Sequence, residues 1–169
     1  KTSLPLYKLH GSLNWLYCPT CDAMELTENE KSVISRLVRS SNYSDLQCQK
    51  CRSIKKAVIV PPTYFKEYNN YFLNTVWHKV EQDLRCVEKI FFCGYSFPDV
   101  DMHIKYLLKR IETNRENPLK IYVANHYEGK EKIEKDVEEE RYNRFFKEKV
   151  KYMDKGFDTL IGDLCKYID

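Results

Sequence analysis

Ile90-Phe91-Phe92-Cys93-Gly94-Tyr95-Ser96 decides the fold. Four consecutive apolar residues suit a strand covered on both faces, as in a parallel sheet, and the glycine with its polar neighbours breaks the run. Before it, Phe72, Val76, Val80 and Leu84 recur every fourth residue between Glu67 and Arg85, with Trp77 beside them, which predicts a helix. After it, Ile104, Leu107, Leu108 and Ile111 mark one side of a second helix, whose amino end Asp99 or Asp101 can cap. Asn117-Pro118 then turns the chain into a strand from Lys120 to Ala124 that ends at Asn125. Strands and helices alternating over short connections predict an α/β fold, a parallel sheet flanked by helices. Ligands of such sheets bind beyond the strands' carboxyl ends, where His10, Gly94, Tyr95, Ser96 and Asn125 are expected to fall.

Further out the signals weaken. Leu6 to Leu9 is short and apolar and runs into His10-Gly11-Ser12, which reads as a strand ending in a turn with His10 at its carboxyl end. Ala57 to Val60 reads as a buried strand stopped by Pro61-Pro62, because proline lacks the amide a ladder needs. Residues 130–151 are rich in charge, with Ile133, Val137, Phe145 and Phe146 as a thin apolar stripe, and predict a solvated surface helix. Phe157, Leu160, Ile161, Leu164 and Ile168 predict a final helix on the sheet.

The seven cysteines include two Cys-x-x-Cys pairs, Cys18 with Cys21 and Cys48 with Cys51, while Cys86, Cys93 and Cys165 stand singly. A two-residue gap lets both sulfurs of a knuckle reach one ion, and two knuckles complete zinc's tetrahedral shell. Such a shell has no open position, so the ion is expected to fold an insertion, residues 18–51, and not to catalyse. Inside it Val33, Ile34, Leu37 and Val38 have helical spacing. Lys50, Arg52, Lys55 and Lys56 form a rim that reads either as solvated or as phosphate-binding. The 169 residues suffice for one domain with this insertion, and 43% apolar with 31% charged residues excludes a disordered tail. There is no spanning-length apolar stretch and no signal sequence, and the cysteine pattern fits a reducing compartment, so the expected setting is cytoplasmic. Net charge of +3 neither demands nor excludes an anionic partner.

Leu9-His10-Gly11-Ser12, the cysteine ribbon, a strand ending Gly94-Tyr95-Ser96 and a strand ending at Asn125 follow one another as in sirtuin-like proteins. From about Leu6 to Asn125 the chain resembles the latter half of that family's NAD-binding domain, and Phe145-Phe146 and Gly156-Phe157 are similar to bacterial, defence-type members. The resemblance implies an incomplete Rossmann-like domain made of residues 1–17 and 52–169, with the ribbon inserted between them. It implies structural zinc, NAD as substrate, and His10 as the base acting on ribose hydroxyls. Gly94 and Ser96 match the family's Gly-Thr-Ser turn near the cofactor, with Tyr95 in place of threonine, and Asn125 matches its ribose-binding asparagine. Asp101 is either a helix cap or a hydroxyl acceptor.

The family's glycine-rich phosphate turn is expected upstream of Lys1, so a missing upstream segment is an expected partner beside NAD, and this piece alone is expected to be inactive. A homo-oligomer is allowed, no membrane is expected, and nucleic acid is the less favoured partner. Where deacylating sirtuins carry Phe-Gly-Glu, this chain has Val58-Ile59-Val60-Pro61-Pro62, whose prolines remove donors needed for pairing with a peptide. The implied activity is therefore hydrolysis of the nicotinamide-ribose bond, with protein deacylation as one alternative and a non-catalytic zinc-ribbon module that binds nucleic acid or protein as another.

Overall fold

Antiparallel pairing organises the first part of the chain and parallel pairing the second. The computed structural model describes residues 4–26, 43–60, 71–127, 129, 131–147, 150–163 and 166, in two compact units, Lys1–Gln82 and Asp83–Asp169. The helical spacing at Val33 to Val38, the Pro61-Pro62 stop, Cys165, Leu164 and Ile168 lie outside the described residues.

In the first unit β1 (Gly11–Tyr17) lies between β2 (Met24–Leu26) and β3 (Lys56–Ile59), antiparallel to both. Leu16 and Val58 are buried, whereas Ala57 and Ile59 face outward, so the strand expected to be buried is covered on one face only. The helix α1 (Tyr71–Leu84) buries Leu73, Val80 and Glu81, and its Phe72 meets Trp15 edge to face at 5.1 Å.

The expected strand at Leu6 to Leu9 is not formed. Two of its carbonyls are taken up otherwise: the Gly11 amide turns back to the Lys8 carbonyl at 3.0 Å, and the Trp77 indole donates to the Leu9 carbonyl at 3.1 Å. Leu4 and Leu6 are largely exposed. His10 therefore precedes the amino end of β1 instead of closing a strand.

The second unit runs β4 (Lys89–Cys93), α2 (Met102–Thr113), β5 (Lys120–Asn125), α3 (Lys132–Phe146), β6 (Val150–Asp154) and α4 (Phe157–Asp163). Its strands are parallel in the order β4-β5-β6, with Phe92 beside Val123 and Val123 beside Tyr152. This is the α/β architecture expected, a parallel sheet with helical crossovers. The strand buried throughout is β5, where every residue after Lys120 is covered; β4, the more apolar sequence, is half-buried because it lies at the edge of this sheet.

On one side of the sheet Phe97, Leu108, Leu119, Ile121, Val123, Tyr142 and Phe146 form the core, with Ile90, Phe92, Val150 and Tyr152 packed against it. Half of the stripe expected on α3 is in place: Phe146 is buried and Phe145 packs against the core. Ile133 and Val137 are exposed instead, and Glu138 and Tyr142 point inward, so α3 is a packed helix and not a solvated one. Lys147 closes it in the left-handed conformation, its amide bonding the Asn143 carbonyl at 2.8 Å. In α4 only Leu160 is buried, while Phe157 and Ile161 face out. No helix among the described residues is long and apolar enough to cross a membrane.

Candidate functional site

The four cysteines of the ribbon come together. Their sulfurs lie within 4.8 Å of one another, with Cys18 to Cys51 at 3.3 Å and Cys21 to Cys48 at 3.5 Å. Zinc–sulfur bonds of about 2.3 Å put tetrahedral sulfurs about 3.8 Å apart, so four close cysteines of this geometry could hold a zinc ion.

The two knuckles are built alike. In the first, the Asp22 amide bonds the Cys18 carbonyl and the Cys18 amide bonds the Ala23 carbonyl, each at 2.9 Å. In the second, Arg52 and Cys48 repeat those bonds with Cys48 and Ser53 at 2.8 Å, and Asp22 and Arg52 both take positive φ, 54° and 62°. These turns leave sulfurs on a common side. The Ser53 hydroxyl and amide draw the Cys51 thiol down to about 6. The Ala23 amide pulls Cys21 the same way, but the neighbouring Cys48 sulfur, burial and the other two thiols push it up to about 12. Four touching sulfurs cannot all ionise without a cation among them, which is the condition a divalent metal relieves. Of the basic rim, Lys55 is not available to phosphates: it is buried and paired with Glu25, while Lys50, Arg52 and Lys56 are exposed.

His10 also belongs to the first unit. Its backbone is pinned, since its carbonyl accepts the Val60 amide at 2.9 Å. The following glycine is needed there: Gly11 has φ +80°, and a Cβ on it would stand 1.9 Å from the Val58 carbonyl oxygen. Thus His-Gly is the pair that lets β3 lie close while an imidazole is held at the turn.

In the second unit, Gly94, Tyr95, Ser96, Asp101 and Asn125 gather where β4 and β5 end. Gly94, at φ +62°, donates its amide to the Ala124 carbonyl at 3.0 Å and so bends the chain just after β4. The Tyr95 carbonyl then accepts the Tyr142 hydroxyl at 2.6 Å and the Asn125 amide at 3.4 Å. The Tyr95 hydroxyl donates to Asp101 Oδ2 at 2.8 Å, and burial, then that carboxylate, push the phenol above its ordinary range. Asp101 holds the N-cap position of α2 but makes no side-chain cap bond, so the capping expectation fails for it; Asp99 is instead paired with Lys105 at 2.6 Å. The Ser96 carbonyl receives Arg141 at 3.5 Å.

Asn125 is 3% exposed, and its Nδ2 donates to Glu138 Oε1, which the Tyr127 hydroxyl also reaches at 3.1 Å. Sequence reading missed Glu138, Tyr127 and Tyr142. The signal for two of them was present, since residues 138, 142 and 146 share helical spacing, but a glutamate and a tyrosine do not register as an apolar stripe.

A parallel α/β sheet with polar groups at its strand ends, together with four clustered cysteines beside an antiparallel sheet, defines the class as an α/β protein with a cysteine cluster that could hold a metal ion. The chain belongs to the SIR2-like domain family, whose model matches residues 1–149. No curated protein and no solved structure gives a match.

Proposed function

We propose that the intact protein hydrolyses the nicotinamide-ribose bond of NAD. Membership of the SIR2-like family over residues 1–149 is the observation that carries this reading. It is supported by the buried Asn125 and the Gly94 bend at the carboxyl ends of adjacent parallel strands, the place where such sheets take nucleotides. Water adds at the ribose carbon as the carbon–nitrogen bond breaks; the bonding electrons leave with nicotinamide, and one proton of the water goes to solvent. Positive charge builds on the ribose in this step, so the protein's work is positioning and stabilising that charge. His10 orients a ribose hydroxyl or takes its proton, a role suited to imidazole near neutral pH. Zinc held by Cys18, Cys21, Cys48 and Cys51 supplies folding energy to the ribbon and no chemistry. In bacterial defence such hydrolysis would act by depleting the cell's NAD.

His10→Ala in the intact protein is expected to lower NAD consumption at least about 100-fold, the scale of a lost general base, with zinc content unchanged. NAD, nicotinamide and ADP-ribose would be followed by chromatography, with metal measured on the same preparation. Undiminished turnover excludes the assigned role of His10. Consumption that requires an acetyl-lysine peptide would move the reading to deacylation. Salt-sensitive binding of DNA or RNA without NAD loss would move it to the ribbon's exposed basic residues.

A further inference from the structure

The amide of Asn125 is oriented by its surroundings. Its Nδ2 faces two acceptors, Glu138 Oε1 and the Tyr95 carbonyl, and turning the amide over would set oxygen against both. Its Oδ1 is buried and has no hydrogen-bond partner among the described residues. A buried acceptor left unmet costs about 1–3 kcal/mol, so this atom calls for a ligand that donates. Glu138 is itself held: it is 5% exposed and also accepts from the Tyr127 hydroxyl, whose residue is tied through its backbone amide to Asp154 Oδ1 at 3.3 Å. Burial, followed by the charge of Glu138, pushes the phenols of Tyr127 and Tyr142 upward, so both stay protonated donors.

Resting on the reading that a dinucleotide is the ligand, we infer that Glu138 is a positioning residue that presents Asn125 Oδ1 to a hydroxyl of the adenosine ribose and excludes a phosphate from the same place. A hydroxyl can donate to Oδ1. A phosphate near neutral pH brings acceptor oxygens and negative charge, and meets the amide oxygen with a carboxylate behind it. An acidic residue at the ribose is the general means by which α/β dinucleotide sites refuse a 2′-phosphate. Neither residue needs to touch the bond that breaks, so the effect belongs to binding.

The test is calorimetric titration of the intact protein with ADP-ribose and with its 2′-phosphorylated form. The wild type is expected to bind ADP-ribose at least about tenfold more tightly. Glu138→Gln keeps an acceptor for the amide but removes the charge; its affinity for ADP-ribose should stay within about threefold while the preference shrinks to about threefold or less. Glu138→Leu removes the acceptor, and ADP-ribose should weaken about tenfold. If the wild type binds both ligands equally, or Glu138→Gln keeps the full preference, the inference is overturned while the NAD reading stands. Binding of neither ligand by the wild type overturns both. Should the leucine variant fail to fold, the wild-type ratio and the glutamine variant still decide.

Discussion

Gly11 joins conformation to function at the smallest scale. Its positive φ alone would strain an alanine by about 1–2 kcal/mol, and the added methyl would also fall 1.9 Å from the backbone oxygen of Val58. Backbone cannot swing aside as the end of a side chain can, so β1 and β3 must part at Ser12 and Val58, where they pair. Gly11→Ala is therefore expected to destabilise the first unit by more than about 2 kcal/mol, read by urea denaturation followed through Trp15 and Trp77 fluorescence. Gly94 is a different case. It shares the left-handed backbone, yet a Cβ there meets nothing within 4 Å, so strain alone opposes substitution. A wild-type midpoint for Gly11→Ala would mean that the two strands are not held as close as the backbone geometry requires.

At the level of elements, α3 shows what a hydrophobic pattern can miss. Tyr142 is fully buried, stacks on Phe97 with ring centres 4.7 Å apart, and gives its hydroxyl to the Tyr95 carbonyl at 2.6 Å. It thus ties the helix both to the core and to the bend after β4. Tyr142→Phe should cost about 1 kcal/mol, the net worth of one hydrogen bond, whereas Tyr142→Ala should cost about 3–5 kcal/mol by opening a cavity. Equal losses in thermal denaturation for the two variants would show that the hydroxyl, and not the ring, dominates. The elements legible in sequence were those whose apolar residues announce themselves: β4, α2 and β5 lie where they were expected. β6 was not foreseen, because Val150-Lys151-Tyr152-Met153-Asp154 is short and alternates, and it is completed as a strand only by its pairing with β5. Leu6 to Leu9 failed in the opposite direction, being apolar enough for a strand but having its carbonyls and turn claimed by Trp77 and Gly11. The cysteine ligands were legible because spacing alone specifies them. Glu138 was not, since its importance comes from an asparagine thirteen residues away in sequence that only the crossover brings beside it.

For the whole molecule, the two units differ in what holds them. The second has a continuous aromatic and aliphatic core around Phe97, Val123 and Phe146, enough to sustain a sheet without a metal. Among the described residues around the cysteines the first has little comparable: β2 is three residues long, a bridge between Gln47 and Ile54 joins the second knuckle, and Cys21 and Cys51 are exposed. A segment so short in core needs a staple, and four thiolates on one ion would supply it. Zinc should therefore be found at about one ion per chain by elemental analysis, as a four-thiolate site takes one. A chelator should strip amide-exchange protection from Met24–Leu26 and from residues 47–54, leaving protection in Ile121–Asn125 unchanged, because among the described residues the cluster that could hold the ion is drawn from the first unit. Cys51→Ser should reproduce that pattern without chelator. If the ribbon keeps its protection after the metal is gone, its hydrogen-bonded knuckles fold it unaided and the cysteines serve some other end; if β5 loses protection as well, the stability of the parallel sheet depends on the metal too, and the two cores are not energetically separate.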